Sequence, residues 1–399
     1  MIKKDEIEKK LNEFENFYRT EAKTINSNSL YSGNPGIYLF RLYYADYCKV
    51  PDDIVEEQLV HFLTNALLTP FQLATFSNGF TGFAWFLNHI NEKGFVDLDT
   101  EIYENYDTLI YEAGLHYFAS NNHDFMHGAL GCILYLAQRS KKSNEAKNYT
   151  TTLLKKLIAI STQSENGVNW NIDNSQMNKD DFGKEITYLQ LSHGLASKIV
   201  VLSICLKNGF DLVKDTLVGN IHFLLNSKDK KTGLIPHRIE NGIIDVKTHS
   251  GWCRSNAGMG LAIIQAANIL KNTELKQKGI DIGIRSLAYI EEINTNPTDA
   301  ALCHGRAGLS QMYLRYYMYT KNTIFQKAAD RWMKQTFELI NTKDKAYQNT
   351  ICGFKSWHGM NQCWTNDPGF LTGTAGIALA MLAHISPNAI NWDEAILLS

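Results

Sequence analysis

No run of about 18 consecutive apolar residues occurs in this 399-residue sequence, so a membrane-spanning helix is not expected. Residues 1–10 carry positive charge but lack the apolar stretch of a secretory signal, which indicates no export. A charge excess is also missing, because 39 basic and 41 acidic residues leave a formal net charge of -2. This balance gives no general attraction to nucleic acid or to an anionic membrane. We therefore expect no nucleic-acid partner and no direct membrane insertion.

A disulfide framework and a domain linker are missing as well. The seven cysteines are an odd number scattered along a long chain, which is typical of a protein kept in a reducing cytoplasm. No Pro/Ser-rich or low-complexity segment divides the sequence, so we predict a single domain over residues 1–399. Thiolate chemistry is available to such a protein without oxidation.

What the sequence does contain is an internal repeat. A small-x-x-small motif followed by an apolar helix recurs seven times, and we call these motifs corners 1 to 7. Their first small residues stand at 33, 79, 128, 194, 255, 305 and 373. The spacing between corners leaves room for two helices and their connections, so each repeat is predicted to be a helix pair.

The two helices of each predicted pair differ in polarity. Those directly after the corners are apolar nearly all round and should be buried, at 36–40, 82–87, 131–136, 197–202, 258–264, 308–314 and 376–382. The others mix charge with periodic apolar residues, at 7–22, 52–68, 101–118, 144–161, 211–225, 274–290 and 325–340. Seven inner and seven outer helices predict an all-α protein, an α/α toroid, with short strands in the connections near 169–190 and 233–242. The apolar last inner helix favours a closed ring over an open solenoid.

Reactive side chains occupy equivalent places in several corners. Cys253 and Cys303 stand two residues before the first small residue of their corners, and His193 and His304 stand one before. Asp124 precedes corner 3 by four residues. If the corners share one end of a ring, these side chains converge on its axis although they are far apart in sequence.

Two cysteines and a histidine make three ligands of the types that zinc prefers. Three protein ligands with an open fourth position are typical of a catalytic zinc site, so Cys253, Cys303 and His304 are predicted to bind one Zn²⁺. The simpler interpretation of a lone cysteine is a small buried apolar residue, and we apply it to Cys48, Cys132, Cys205 and Cys352.

On these motifs the sequence resembles the lanthionine synthetase C-like family, the lanthipeptide cyclases, over essentially its whole length. The family's Trp-Cys and Cys-His-Gly zinc motifs correspond to Trp252-Cys253 and Cys303-His304-Gly305. Its Ser/Thr-His-Gly-Leu-Ala-Gly motif appears as residues 192–197, and its aspartate before the third corner as Asp124. The family often has arginine where this chain has His249, and Tyr or His followed by Gly where it has Arg254 and Ser255; Ser197 and Thr372 also differ from the usual residues. These differences concern substrate contacts and not the predicted ligands.

The resemblance implies a reaction in which a peptide cysteine adds across dehydroalanine or dehydrobutyrine to form a thioether ring. His193 is then the expected general acid, and Asp124 either orients it or helps to deprotonate the thiol. His249 and Arg254 are the expected substrate-binding residues. The expected partners are a dehydrated precursor peptide with its leader, a separate dehydratase and an export machinery, with a cytoplasmic location, free or attached to a membrane through a biosynthetic complex.

Two alternatives use the same predicted zinc site. One is a glutathione-binding or adaptor protein of the wider family without cyclase activity. The other is a zinc-dependent peptide-thiol prenyltransferase-like α/α barrel, which would need a diphosphate site; the sequence shows no Lys/Arg cluster beside the corners to form one.

Overall fold

The structure is a computed structural model and describes residues 2–21, 25, 27–49, 53–172, 183–244, 250–293, 297–342, 347–358, 361–387 and 391–399. In these ranges, fourteen α-helices alternate along the chain between an inner and an outer ring. The predicted α/α toroid is confirmed.

The seven inner helices are buried along almost their whole length, as their apolar composition predicts. Each begins at the residue after the first small residue of its corner, and that small residue forms the N-cap in extended conformation. They are α2 (Asn34–Cys48), α4 (Phe80–Glu92), α6 (Ala129–Arg139), α8 (Leu195–Lys207), α10 (Asn256–Leu270), α12 (Arg306–Thr320) and α14 (Thr374–Ile385).

The seven outer helices bury one face and expose the other, which explains their mixed composition. They are α1 (Lys4–Glu21), α3 (Asp53–Leu68), α5 (Thr100–Ala119), α7 (Asn144–Ala159), α9 (Lys214–Asn226), α11 (Thr273–Ile293) and α13 (Thr323–Glu338). A 3-10 turn, Asp211–Val213, precedes α9.

The ring closes between the last repeat and the first. Each inner helix contacts the next one along the chain, and α14 contacts both α2 and α1. The hydroxyl of Tyr18 on α1 donates to the carbonyl of Pro368 at 2.9 Å and lies 2.8 Å from the hydroxyl of Thr374. These contacts join the two ends of the described chain, as the apolar last inner helix predicts.

Short strands lie in the connections. β1 (Thr162–Ser164) pairs with β2 (Gly167–Asn169), β6 (Ser356–His358) with β7 (Cys363–Thr365), and β3 (Ile186–Tyr188), β4 (Arg238–Glu240) and β5 (Ile243–Ile244) form one antiparallel sheet. Asn241 and Gly242 join β4 to β5 with φ of 49° and 74°, the left-handed pair that a two-residue hairpin requires.

The predicted strand near 233 begins later than expected. Residues 233–237 are not strand, because both backbone groups of Ile235 bond the side-chain amide of Asn256 at 2.7 and 2.9 Å. That amide replaces a strand partner and ties the loop to the start of α10. The expected strand at 169–173 is described only up to residue 172 and contributes Asn169 to β2.

The C-terminal segment fills the centre of the inner ring. The carbonyls of Ala395 and Ile396 accept hydrogen bonds from Tyr31 (2.6 Å) and Trp252 (2.7 Å), which belong to corners 1 and 5. Asp393 is fully buried and accepts from Arg315 on α12 at 2.6 Å. The toroid therefore has a packed core in place of an open channel.

Candidate active site

The corners form a circle of backbone hydrogen bonds at one end of the ring. In six links, the amide of the residue two before one corner donates to the carbonyl of the corresponding residue in a neighbouring corner. The donor–acceptor pairs are Leu371–Tyr31 (3.0 Å), Tyr31–Ser77 (3.2 Å), Ser77–Met126 (3.0 Å), Ser192–Cys253 (3.4 Å), Cys253–Cys303 (3.2 Å) and Cys303–Leu371 (3.0 Å). Corners 3 and 4 are joined by the side chains of Asp124 and His193. This circle brings those predicted site residues that the structure describes to one end of the ring.

A residue without a side chain is required where corner 6 passes over the first turn of α12. A Cβ on Gly308 would lie 1.9 Å from the carbonyl oxygen of Leu302, which is backbone and cannot turn aside. The glycine lets α12 pack directly beneath the loop that carries Cys303 and His304. The small-x-x-small pattern therefore positions the reactive residues as well as marking helix starts.

Cys253 and Cys303 lie side by side. The backbone N–H of Cys253 donates to the carbonyl of Cys303 at 3.2 Å, and the interaction of the two neighbouring thiols lowers the pKa of Cys253 to about 6 against the opposing effect of burial. The positive charges of Arg254, His304 and His193 lower it further. The same interaction, together with burial, raises the pKa of Cys303. One thiolate is thus available near neutral pH between the two sulfurs.

His304 adjoins the cysteines and is held from its other side. Its Nε2 lies 3.3 Å from Oδ2 of Asp299 and 3.2 Å from the carbonyl oxygen of Trp357 on β6. The hydrogen bond to Asp299 raises the pKa of His304 to about 9, although burial opposes the rise. With Nε2 occupied, Nδ1 is the nitrogen left to act as a ligand.

Asp124 and His193 form the second half of the site. Nδ1 of His193 lies 2.9 Å from Oδ2 of Asp124, while Oδ1 accepts the backbone N–H of His127 at 2.8 Å. Burial alone would raise the pKa of Asp124, but the charge and hydrogen bond of His193, with the contribution of His127, lower it below its usual value. The His193 side chain is 21% exposed, and its charge influences Cys253. An ionised, buried carboxylate therefore orients a half-exposed imidazole beside the cysteines.

The donor set fits a zinc ion by its chemistry. Two thiols and one imidazole from adjoining corners are a common zinc ligand set with one position left for another ligand. The backbones of Cys253 and Cys303 are joined by a hydrogen bond of 3.2 Å, and His304 acts electrostatically on Cys253. No group of three His, Cys, Asp or Glu side chains already able to hold a metal ion was found among the described residues. Binding an ion would thus require a local adjustment of these three side chains.

Of the two predicted substrate-binding residues, only Arg254 lies in the part of the chain that the structure describes. His249 lies outside the described residues. Arg254 is exposed at corner 5, directly after Cys253. Of the residues that differ from the family pattern, Ser255 caps α10 by accepting from the amide of Gly258, and Ser197 donates to the carbonyl of Gly194 at 2.7 Å. Both serines stabilise the corners in which they stand.

Two residues that the sequence analysis did not select belong to this site. Asp299 stands six residues before corner 6, and its counterpart Asp367 stands six before corner 7. His127 stacks on His193 with ring centroids 5.8 Å apart, and its Nδ1 lies 3.1 Å from the hydroxyl of Ser77. An alignment of the corners that begins six residues before the first small residue, and not four, shows the aspartate shared by corners 6 and 7.

A cavity of about 750 Å³ lies at the opposite end of the ring. It is lined by residues from the last turns of inner helices, including Glu92, Lys207 and Leu270. Among the described residues, no predicted site residue lines it, so cavity size does not mark the site.

The ring of helix pairs and the corner site define a class of protein, the α/α toroids. The family described as "Lanthionine synthetase C-like protein" matches residues 24–397, and the chain belongs to this family. Among solved structures the chain is similar to one named "Nisin cyclase", with a TM-score of 0.74 and 16% identity, covering 99% of this chain and 97% of that chain. At this identity the likeness shows the fold. A comparison with curated protein sequences found no match.

One further expectation concerns membranes. Of the helices in the described ranges, none is both long and apolar enough to span a bilayer.

Proposed function

We propose that the protein is a zinc-dependent cyclase that forms lanthionine and methyllanthionine rings in a dehydrated peptide. The observation that carries the proposal is the arrangement at the corner end, where a Cys-Cys-His donor set lies beside the Asp124–His193 pair. Membership of the lanthionine synthetase C-like family and the fold shared with a nisin cyclase support it.

Cys253, Cys303 and His304 would hold the ion, with His304 contributing Nδ1. Zinc bound there would lower the pKa of a peptide thiol from about 8.5, so that the peptide's cysteine would react as a thiolate at neutral pH. The positive charge of Arg254 at corner 5 favours the approach of an anionic sulfur.

The Asp124–His193 pair supplies the proton that the reaction needs. When the thiolate attacks the β-carbon of dehydroalanine or dehydrobutyrine, the C=C bond is replaced by a C–S bond and an enolate, and the α-carbon then takes up one proton. His193 donates this proton from Nε2, because its Nδ1 is bound by Asp124. The thiol loses one proton and the α-carbon gains one, so the reaction is balanced without an oxidant or reductant.

The remaining expectations follow from this role. The substrate is a precursor peptide with its leader, dehydrated beforehand by a separate enzyme and exported afterwards, and the site of action is the cytoplasm. Residues 1–399 act as a single domain, since closing contacts join the first and last repeats. His249 and Arg254 are assigned to substrate binding.

The test is a cyclisation assay with the purified protein and a dehydrated precursor peptide that carries free cysteines. The zinc-loaded protein should remove thiols that react with N-ethylmaleimide without changing the peptide mass, and removal of zinc by a chelator should abolish this activity. If the zinc-loaded protein does not accelerate ring formation but binds glutathione, the adaptor alternative replaces the proposal.

A further inference from the structure

We propose that Asp299 is a positioning residue that determines which nitrogen of His304 faces the metal ion. The inference rests on the proposed zinc site but concerns a residue outside the ligand set. It predicts coordination through Nδ1, with Nε2 protonated and turned away from the ion.

The Asp299 carboxylate is held rigidly by its surroundings. Asp299 is fully buried, and its Oδ2 accepts the backbone N–H of Trp357 at 2.8 Å while lying 3.3 Å from Nε2 of His304. Its Oδ1 accepts the backbone N–H of Ala301 at 3.2 Å. Both oxygens are therefore engaged, and the carboxylate is held in one orientation.

Two hydrogen-bond acceptors meet at the same nitrogen of His304. Nε2 of His304 faces Oδ2 of Asp299 and also the carbonyl oxygen of Trp357 at 3.2 Å. Neither oxygen donates here, so Nε2 carries a proton, and Nδ1 is the nitrogen that can release its proton and bind a metal. Carboxylates that bind the second nitrogen of a ligand histidine typically fix its tautomer and ring orientation in this way.

The same chain holds a second aspartate placed as Asp299 is, in corner 7. In corner 7, Asp367 also stands six residues before the first small residue, and its Oδ1 accepts the backbone N–H of Gly369 at 2.7 Å. Its Oδ2 accepts from the hydroxyl of Thr372 at 2.5 Å, the residue equivalent to His304. The aspartate is thus a repeated means of holding the side chain that directly precedes a corner. In corner 6 the side chain held is a proposed zinc ligand.

The hairpin of β6 and β7 takes part in the same contacts. Trp357 donates its N–H to Asp299, and its carbonyl oxygen accepts from Nε2 of His304. The buried Asp299 therefore binds both the hairpin and the proposed ligand. A change in Asp299 should therefore alter the orientation of His304 even where the fold persists.

The experiment compares Asp299→Asn with Asp367→Asn as a matched control. Each substitution removes one charge and turns one accepting oxygen into a donor, but only the first affects a proposed ligand. Zinc affinity, measured by competition with a chromogenic chelator, should fall by about 10- to 100-fold in Asp299→Asn and stay at the wild-type value in Asp367→Asn. The Co²⁺-loaded Asp299→Asn protein should also show a changed ligand-field spectrum.

A measurement on the unmodified protein covers the case in which Asp299→Asn does not fold. In ¹⁵N-histidine-labelled, zinc-loaded protein, the His304 signals are assigned by their loss in His304→Ala. We expect Nδ1 to show the shift of a metal-bound nitrogen and Nε2 to carry a proton. Coordination through Nε2, or wild-type zinc affinity in a folded Asp299→Asn, would overturn the inference.

These outcomes are separate from a failure of the proposed function. If the wild-type protein binds no zinc, the proposed site itself is wrong. If it binds zinc through Nδ1 without cyclising any peptide, the positioning role of Asp299 stands and the activity does not.

Discussion

Asp124 and His193 lie 69 residues apart in sequence, yet Oδ2 of the first is 2.9 Å from Nδ1 of the second. The contact crosses from corner 3 to corner 4, and the carboxylate is wholly buried. Because the pKa of Asp124 is lowered, it is ionised across the neutral range and holds a proton on Nδ1 of His193. Nε2 is then the nitrogen that exchanges protons with a substrate.

Replacing His193 should therefore slow cyclisation without releasing zinc. For His193→Ala we expect kcat to fall by about 100- to 10,000-fold, the usual contribution of a general acid, with wild-type zinc content. The measurements are single-turnover ring formation and metal analysis of the same preparation. Loss of zinc in His193→Ala would instead assign the residue to the metal centre.

Asp124 should act through His193. Asp124→Asn should lower kcat by a smaller factor, about 10- to 100-fold, and the double variant should be no slower than His193→Ala alone, because residues that work as a unit are not additive. A double variant whose loss equals the product of the two single losses would show that Asp124 has an independent role, such as deprotonating the thiol.

The packing at corner 6 predicts a link between a glycine and metal affinity. A Cβ at Gly308 would strike the carbonyl oxygen of Leu302 at 1.9 Å, so Gly308→Ala should shift the loop that carries Cys303 and His304 and weaken zinc binding. Gly258→Ala is the control, since the equivalent Cβ in corner 5 would meet atoms of Leu191 and Trp252 no closer than 3.2 Å. Equal zinc affinities in the two variants would contradict the role of the close approach.

Glu394 should make stability depend on pH. Burial and the neighbouring Asp393 raise its pKa from 4.5 to about 7, against the opposing charges of Lys93 and Lys207. Between these values the folded state holds a proton that the unfolded state has released, so stability falls as pH rises through this window. Glu394→Gln should remove that fall and be more stable than wild type by about 3 kcal/mol at pH 8, with little difference at pH 4. Chemical denaturation at both pH values measures this, and parallel pH profiles for the two proteins would refute it.

Much of this architecture could be predicted because each repeat carries a local signal. The residues at 33, 79, 128, 194, 255, 305 and 373 all prove to be N-caps of inner helices, because a small residue and an apolar run are a helix-start pattern readable within a few positions. The alignment of corners then placed Cys253 beside Cys303 and Asp124 near His193, since equivalent positions in a closed ring share one end.

Other features depend on contacts that no local pattern encodes. The hairpin of β6 and β7 has three residues per strand, too few for a clear alternation of polar and apolar residues. Trp392 is buried in the ring centre by contacts with distant repeats, such as the ring of Phe370 at 5.7 Å. Asp299 lies just outside the motif that was aligned, and its role becomes visible only through the backbone of Trp357, 58 residues away.

The most direct test of the account is the comparison of Cys303→Ala with Cys48→Ala. Both remove one cysteine, but Cys48 lies at the last residue of α2, far from the corners. It is exposed, so the expectation that it is buried was wrong, whereas Cys132 and Cys205 are buried as expected. Zinc content and thioether formation on a dehydrated peptide are measured for both variants and the wild type. The account predicts about one zinc per chain and full activity in Cys48→Ala, with both lost in Cys303→Ala. A Cys303→Ala protein that retains zinc and cyclises the peptide at the wild-type rate would contradict it.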